Sequence, residues 1–177
     1  MKKYFILIMT LIASACSQWP EVLTKGEWLD PEAREFSPSV NLMIIPDAKE
    51  RNGEISYGSG SYAQLEFKSA MEKIGVIVVT SLEDNIDKAL VLAKDKKLMY
   101  VMKVQLVEWE DNETFWNGKP DVAAANLDLY SVVSGEKVAT AYCRKKGIRA
   151  ATEPMKPDRF VNYIATEMIE EVFHYVD

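Results

Sequence analysis

What most constrains the fold is how the hydrophobic period switches along residues 40–177. Residues 40–45 are an apolar run between Pro38 and Pro46, which predicts a strand. Over 61–74, Ala63, Phe67, Ala70 and Ile74 recur at helical spacing, with Met71 widening the stripe. Gly75 ends that helix, and the wholly apolar 76–80 predicts a strand covered on both faces. A second helix is expected from Asp84, as its N-cap, to Lys96, turning Ile86, Ala89, Leu90 and Ala93 inward. Strict alternation then takes over. In 98–109, Leu98, Tyr100, Met102, Val104 and Leu106 share one face, while Met99 and Val101 open another that turns polar at Lys103 and Gln105. Residues 122–133 set Ala125, Leu127 and Leu129 against Asn126, Asp128 and Tyr130. Ser134-Gly135 supplies a tight turn, and 137–144 return antiparallel. Pro157-Asp158 opens a terminal helix striped by Phe160, Ile164, Met168, Val172 and Tyr175. The order β-α-β-α-β-β-β-α predicts an α/β (α+β) domain, a single mixed sheet of about five strands with about three helices on it.

The amino-terminal segment carries an address. Met1-Lys2-Lys3 is a positive start, and residues 4–13 form an apolar run of 10 residues. A signal-peptide core spans about 7–15 residues, whereas a membrane-spanning helix needs about 20. Ala13-Ser14-Ala15-Cys16 then looks like a lipobox, in which small residues precede a cysteine that is diacylated before cleavage between Ala15 and Cys16. Ala13 stands where such motifs prefer Leu, Val or Ile. An ordinary signal-peptidase site after Ala15 is the alternative, and it would release a soluble periplasmic protein. The expected organisation is a signal peptide at 1–15, a lipidated amino terminus and tether at 16–39, and one α/β domain at 40–177. More than one acyl chain gives stable anchoring, so the membrane is the expected partner of Cys16. By analogy with enterobacterial sorting, Ser17 after the cysteine points to the outer membrane.

Charge and chemistry-bearing residues narrow the function. Cleavage removes Lys2 and Lys3 and no acid, so the net charge moves from −6 to −8. So acidic a domain is repelled by nucleic acid, and no nucleic-acid partner is expected. Cys16 and Cys143 are the two cysteines; with Cys16 lipidated no internal disulfide can form, and Cys143 reads as a small buried apolar residue. With His174 as the one histidine, neither a zinc site of the usual N/S type nor a His-based triad is expected. Gly53, Gly58 and Gly60 precede a helix but fit neither the dinucleotide fingerprint nor the Walker loop. No cofactor, metal or catalytic constellation is expected.

The densest cluster runs over 108–121: Glu108, Trp109, Glu110, Asp111, Glu113, Thr114, Trp116, Gly118 and Asp121 combine carboxylates with two tryptophans. Carboxylate pairs can act on a sugar, and tryptophan faces stack on pyranose rings. The same residues also suit a strand-end connection with solvated acids. Trp109, Glu110, Asp111, Thr114, Trp116, Gly118 and Asp121 are therefore a candidate partner or ligand loop.

That stretch resembles the WED-x-x-T-x-W-x-G-x-P-D signature of a family of Gram-negative lipoproteins, domain-of-unknown-function family 4823. Gly58-Ser59-Gly60, Tyr100 and the stretch 127–135 match in the same order, whereas 144–155 depart from the pattern. The resemblance implies an envelope lipoprotein without an assigned activity. At the level of the fold, the element order looks like the TolB amino-terminal domain and the curli-secretion and penicillin-binding-protein-activator lipoproteins, which act by protein contact. The expected function is a non-enzymatic module contacting an envelope protein or the cell wall, the alternative being a glycan-acting or glycan-binding protein.

Overall fold

The computed structural model describes residues 21–29, 41–46, 59–110, 121–147 and 157–173. Chain order gives β1 (Glu21–Trp28), β2 (Asn41–Pro46), α1 (Ser59–Lys73), β3 (Ile77–Thr80), α2 (Ile86–Asp95), β4 (Tyr100–Glu110), β5 (Val122–Ser131), β6 (Lys137–Lys146) and α3 (Pro157–Val172). These form the expected α/β fold with one mixed sheet, ordered β1-β6-β5-β4-β2-β3. β2 runs parallel to β3 and β4, and every other pairing is antiparallel.

The chain steps outward from β2 to β3, then back across β2 to β4. Right-handed crossovers taken in opposite directions put their helices on opposite faces, and α1 and α2 lie so. α1 and α3 share one face over the larger core, where Phe67, Met71, Met102, Leu127, Leu129, Phe160, Ile164 and Met168 are fully buried. α2 covers a smaller cluster of Met43, Ala89, Ala93, Leu98 and Val101 on the other. The stripes read from the sequence are the buried ones: Ala63, Phe67, Ala70 and Met71 on α1, Ala89 and Ala93 on α2, and Phe160, Ile164, Met168 and Val172 on α3. Leu98 precedes β4 and joins the α2 cluster, not the larger core that holds Met102 and Val104.

Three expectations are corrected. Part of the expected tether at 16–39 is strand β1, which adds a sixth strand to the sheet and pairs Glu21–Trp28 with β6. By register its helix-side positions are Val22, Thr24, Gly26 and Trp28, and the threonine and glycine in the middle break the apolar alternation that would have marked a strand. Gly26 passes so close to α3 that a Cβ there would lie 2.7 Å from Glu171 Cγ. Trp28 locks the strand's end, its Nε1 donating to the Val172 carbonyl at 2.6 Å and its ring meeting Phe173 edge-on at 6.1 Å. Second, β3 is an edge strand, with Ile77 64% exposed. A β-branched run specifies a strand but not its place in the sheet, and four residues is a typical length for an edge. Third, Asn85, not Asp84, caps α2, its side chain accepting the Lys88 N–H at 3.1 Å.

Candidate functional site

Beyond α2, no described element covers the polar face of β4, β5, β6 and β1 that is turned away from α1 and α3. Strand register places its residues in rows. Lys103, Asp128, Thr140 and Glu27 form one, and Gln105, Asn126, Tyr142 and Lys25 the next. Glu108, Ala124 and Arg144 form the third. Ala124 is fully buried and so short that its neighbours on either side meet above it. Arg144 Nε and its terminal nitrogen donate to the two Glu108 oxygens at 2.7 and 3.0 Å, a bidentate pair spanning β5. In the first row Asp128 accepts from Lys137 Nζ and from Thr140 Oγ1, both at 2.8 Å. Asp128 holds the Lys137 amine above its usual range, and burial raises the Tyr130 phenol. Between these pairs, Lys25, Gly26, Glu27, Asn126, Thr140, Ala141 and Tyr142 line an open depression of about 420 Å³.

A bulge between Leu106 and Glu108 decides this arrangement. Uninterrupted alternation from Leu98 would carry Glu108 to the face of Leu106, under the helices. The extra residue reverses the count and delivers Glu108 to Arg144.

The candidate loop read from the sequence is met only at its two ends. Trp109 pairs with Ala123 in the ladder, and Glu110 closes β4 exposed to solvent. Asp121 is 3% exposed, and its carbonyl accepts the Gly147 N–H at 2.8 Å, joining the ends of β5 and β6. Asp111, Thr114, Trp116 and Gly118 lie outside the described residues, as do Ala15, Cys16, His174 and Tyr175. Sequence reasoning missed the Arg144–Glu108 and Lys137–Asp128 pairs, because neither partner has a local motif. The signal that could have found them was the polar alternation of β5 set against its hairpin partner.

On the helix side, two titratable groups are buried and a third, Tyr163, stands exposed beside one of them. Cys143 is fully buried, its sulfur accepts from Thr24 Oγ1 at 3.3 Å, and burial pushes the thiol's pKa up, so it behaves as the inert apolar residue expected. Lys145, 7% exposed, holds Nζ 3.1 Å from the centroid of the Tyr163 ring and 5.7 Å from that of Phe160, and burial lowers its pKa. A hydrogen bond to Glu167 pushes the Tyr163 phenol up to about 12. Among the described residues no group of His, Cys, Asp and Glu is placed to hold a metal ion, and no helix is long and apolar enough to cross a membrane.

Compared with known proteins, the chain matches no family profile and no curated sequence. Solved structures do resemble it. A PelC variant from Paraburkholderia phytofirmans, a dodecamer, overlays with a TM-score of 0.64 at 13% identity over 89% of this chain and 100% of that one. XCC0632 of Xanthomonas campestris, of domain-of-unknown-function family 330, gives a TM-score of 0.49 at 11% identity over 74% and 82%. Lipoprotein GNA1162 of Neisseria meningitidis gives 0.45 at 11% identity over 77% and 99%. The PelC likeness is one of fold, and the other two are too loose to carry an argument. With no family profile matching, the resemblance to family 4823 finds no support in these comparisons.

Proposed function

We propose that this chain is a lipid-anchored protein of the bacterial envelope, held in the outer membrane through Cys16, that acts by assembly and performs no chemistry itself. One observation carries the assembly reading. The polar face of β4-β5-β6-β1 presents rows of mutually paired charges around an open depression. Such a face offers directional contacts over a broad area, as protein interfaces do. The glycan-acting alternative loses one of its carboxylates, because Arg144 occupies both oxygens of Glu108. The PelC structure of shared fold is a dodecamer, which makes a second copy of this chain the first contact to test.

A photo-crosslinking residue at Tyr142, within the depression, is expected to trap one discrete adduct in intact cells. The same residue at Leu65, on the outer surface of α1, is expected to trap none. Indiscriminate or absent crosslinking from Tyr142 would remove the assembly reading. Anchoring is tested separately: radiolabelled palmitate is expected to enter the wild type and not Cys16→Ser.

A further inference from the structure

The carboxyl ends of β2, β3 and β4 lie at one end of the sheet. β5 begins there, β6 finishes there, and β1 begins there, so that Glu110, Val122, Lys146 and Glu21 form a single row. At the opposite end stand the start of β3, the start of β4, the β5–β6 turn and Trp28. We infer that the row of Glu21, Lys146, Val122 and Glu110 is the end of the domain that lies against the lipid leaflet, with the opposite end directed away from it. The inference rests on the lipidated Cys16 of the proposed function.

The argument is one of reach. Five peptide steps separate Cys16 from Glu21. Whatever path they take, they span at most about 18 Å. Acyl chains buried in the leaflet hold Cys16 at the headgroup surface. β1 is eight residues long. At about 3.3 Å per residue it measures about 23 Å from end to end. To turn the opposite end to the membrane, the chain would have to run back past the whole of β1. The link is shorter than the strand, so that orientation is closed to it. The domain's own charge would not bring it to an anionic leaflet; the covalent lipid does.

The far end thereby becomes the outward one, and its lysines stand among the exposed acids Glu72, Asp95 and Glu136. Lys73 ends α1, while Lys94, Lys96 and Lys97 crowd the end of α2, and all four are exposed. Exposed apolar side chains stand among them: Ile77 at 64%, Met99 at 48% and Val133 at 96%. On a patch so far from the headgroups, more than twice the screening length of about 8–10 Å, lysines are not drawn down by the lipid.

The full-length lipidated chain, reconstituted into phosphatidylethanolamine–phosphatidylglycerol vesicles, tests this. With Cys16 capped and Cys143 buried, a thiol dye goes to a single introduced cysteine, Glu110→Cys at the anchored end or Val133→Cys at the far end. Lys146→Cys replaces the first if that variant does not fold. With a headgroup-quenching lipid present, the dye at 110 is expected to lose most of its emission and the dye at 133 almost none. A long Gly/Ser linker inserted before Glu21 is expected to preserve flotation with the vesicles and to erase that difference. Equal quenching at both positions means a domain lying on its side, and stronger quenching at 133 an inverted one; either overturns the inference while leaving the anchor standing. A wild-type chain that fails to float overturns the lipid-anchored reading itself, and this orientation with it.

Discussion

The two faces of the sheet are built on different terms. Under α1 and α3, two helices and the inward residues of β2, β4, β5 and β6 close a continuous apolar core, with Trp28 of β1 and Val78 of β3 packed at its margins. On the other face, α2 seals a small cluster, and the described residues beyond it are held by ion pairs. The first face specifies the fold; the second spends little of the molecule's stability and keeps its side chains available. Protein surfaces that bind are commonly this second kind, carried on a scaffold secured elsewhere.

The comparison can be broken by making the same change on both faces. Leu127→Ala, in the larger core, is expected to cost about 4 kcal/mol, because the residue is enclosed and its surroundings cannot collapse. Leu98→Ala, 8% exposed in the smaller cluster, is expected to cost about 2 kcal/mol, since α2 can settle into the gap. Urea melts of the two variants decide it, and equal losses would make the faces equivalent. Glu108→Gln removes one partner of the Arg144 pair, whose side chains are about 30% exposed. That change is expected to cost about 1 kcal/mol or less, and the loss should shrink in high salt.

The smallest effect is a dependence on pH. Tyr163 has a pKa of 10.0 when unfolded and about 12 when folded, so the folded state keeps a proton that the unfolded chain releases. Its contribution is complete below pH 10 and is lost as the pH climbs toward about 12. Lys145 works in the opposite sense: burial lowers its pKa, and the folded state loses stability as the pH falls below 10.5. Raised by burial, the Cys143 thiol gives up its contribution as the pH rises past 9.0. Comparing wild type with Tyr163→Phe isolates the tyrosine. The variant's urea midpoint is expected to decline less steeply between pH 10 and pH 12 than the wild type's.

The larger core was legible because its helices repeat Phe67, Met71, Ile164 and Met168 at a spacing nothing else explains. β1 was not, because a strand whose inward row is interrupted at Thr24 and Gly26 shows its logic only once α3 is beside it. β3 was read as a strand but misplaced, since an apolar run carries no information about neighbours. The polar face depended on a bulge after Leu106, and a single extra residue in a ladder leaves no mark on the composition. What sequence reading could not reach were register and close approach, both properties of pairs distant along the chain.

The first strand of this chain in order of synthesis is among the last able to pair. Thr24 bonds to Cys143, 119 residues further on, and the edge that β1 needs does not exist until β6 has been made. A ring that long is costly to close before its contacts reward it, and contacts so remote in sequence slow folding as a class. β1 must therefore wait with its backbone unpaired while the rest of the sheet assembles, and its docking beneath Val172 and Phe173 completes the molecule. A nascent chain stalled before residue 137 would hold an orphaned strand at its amino end, the kind of exposed edge that chaperones bind.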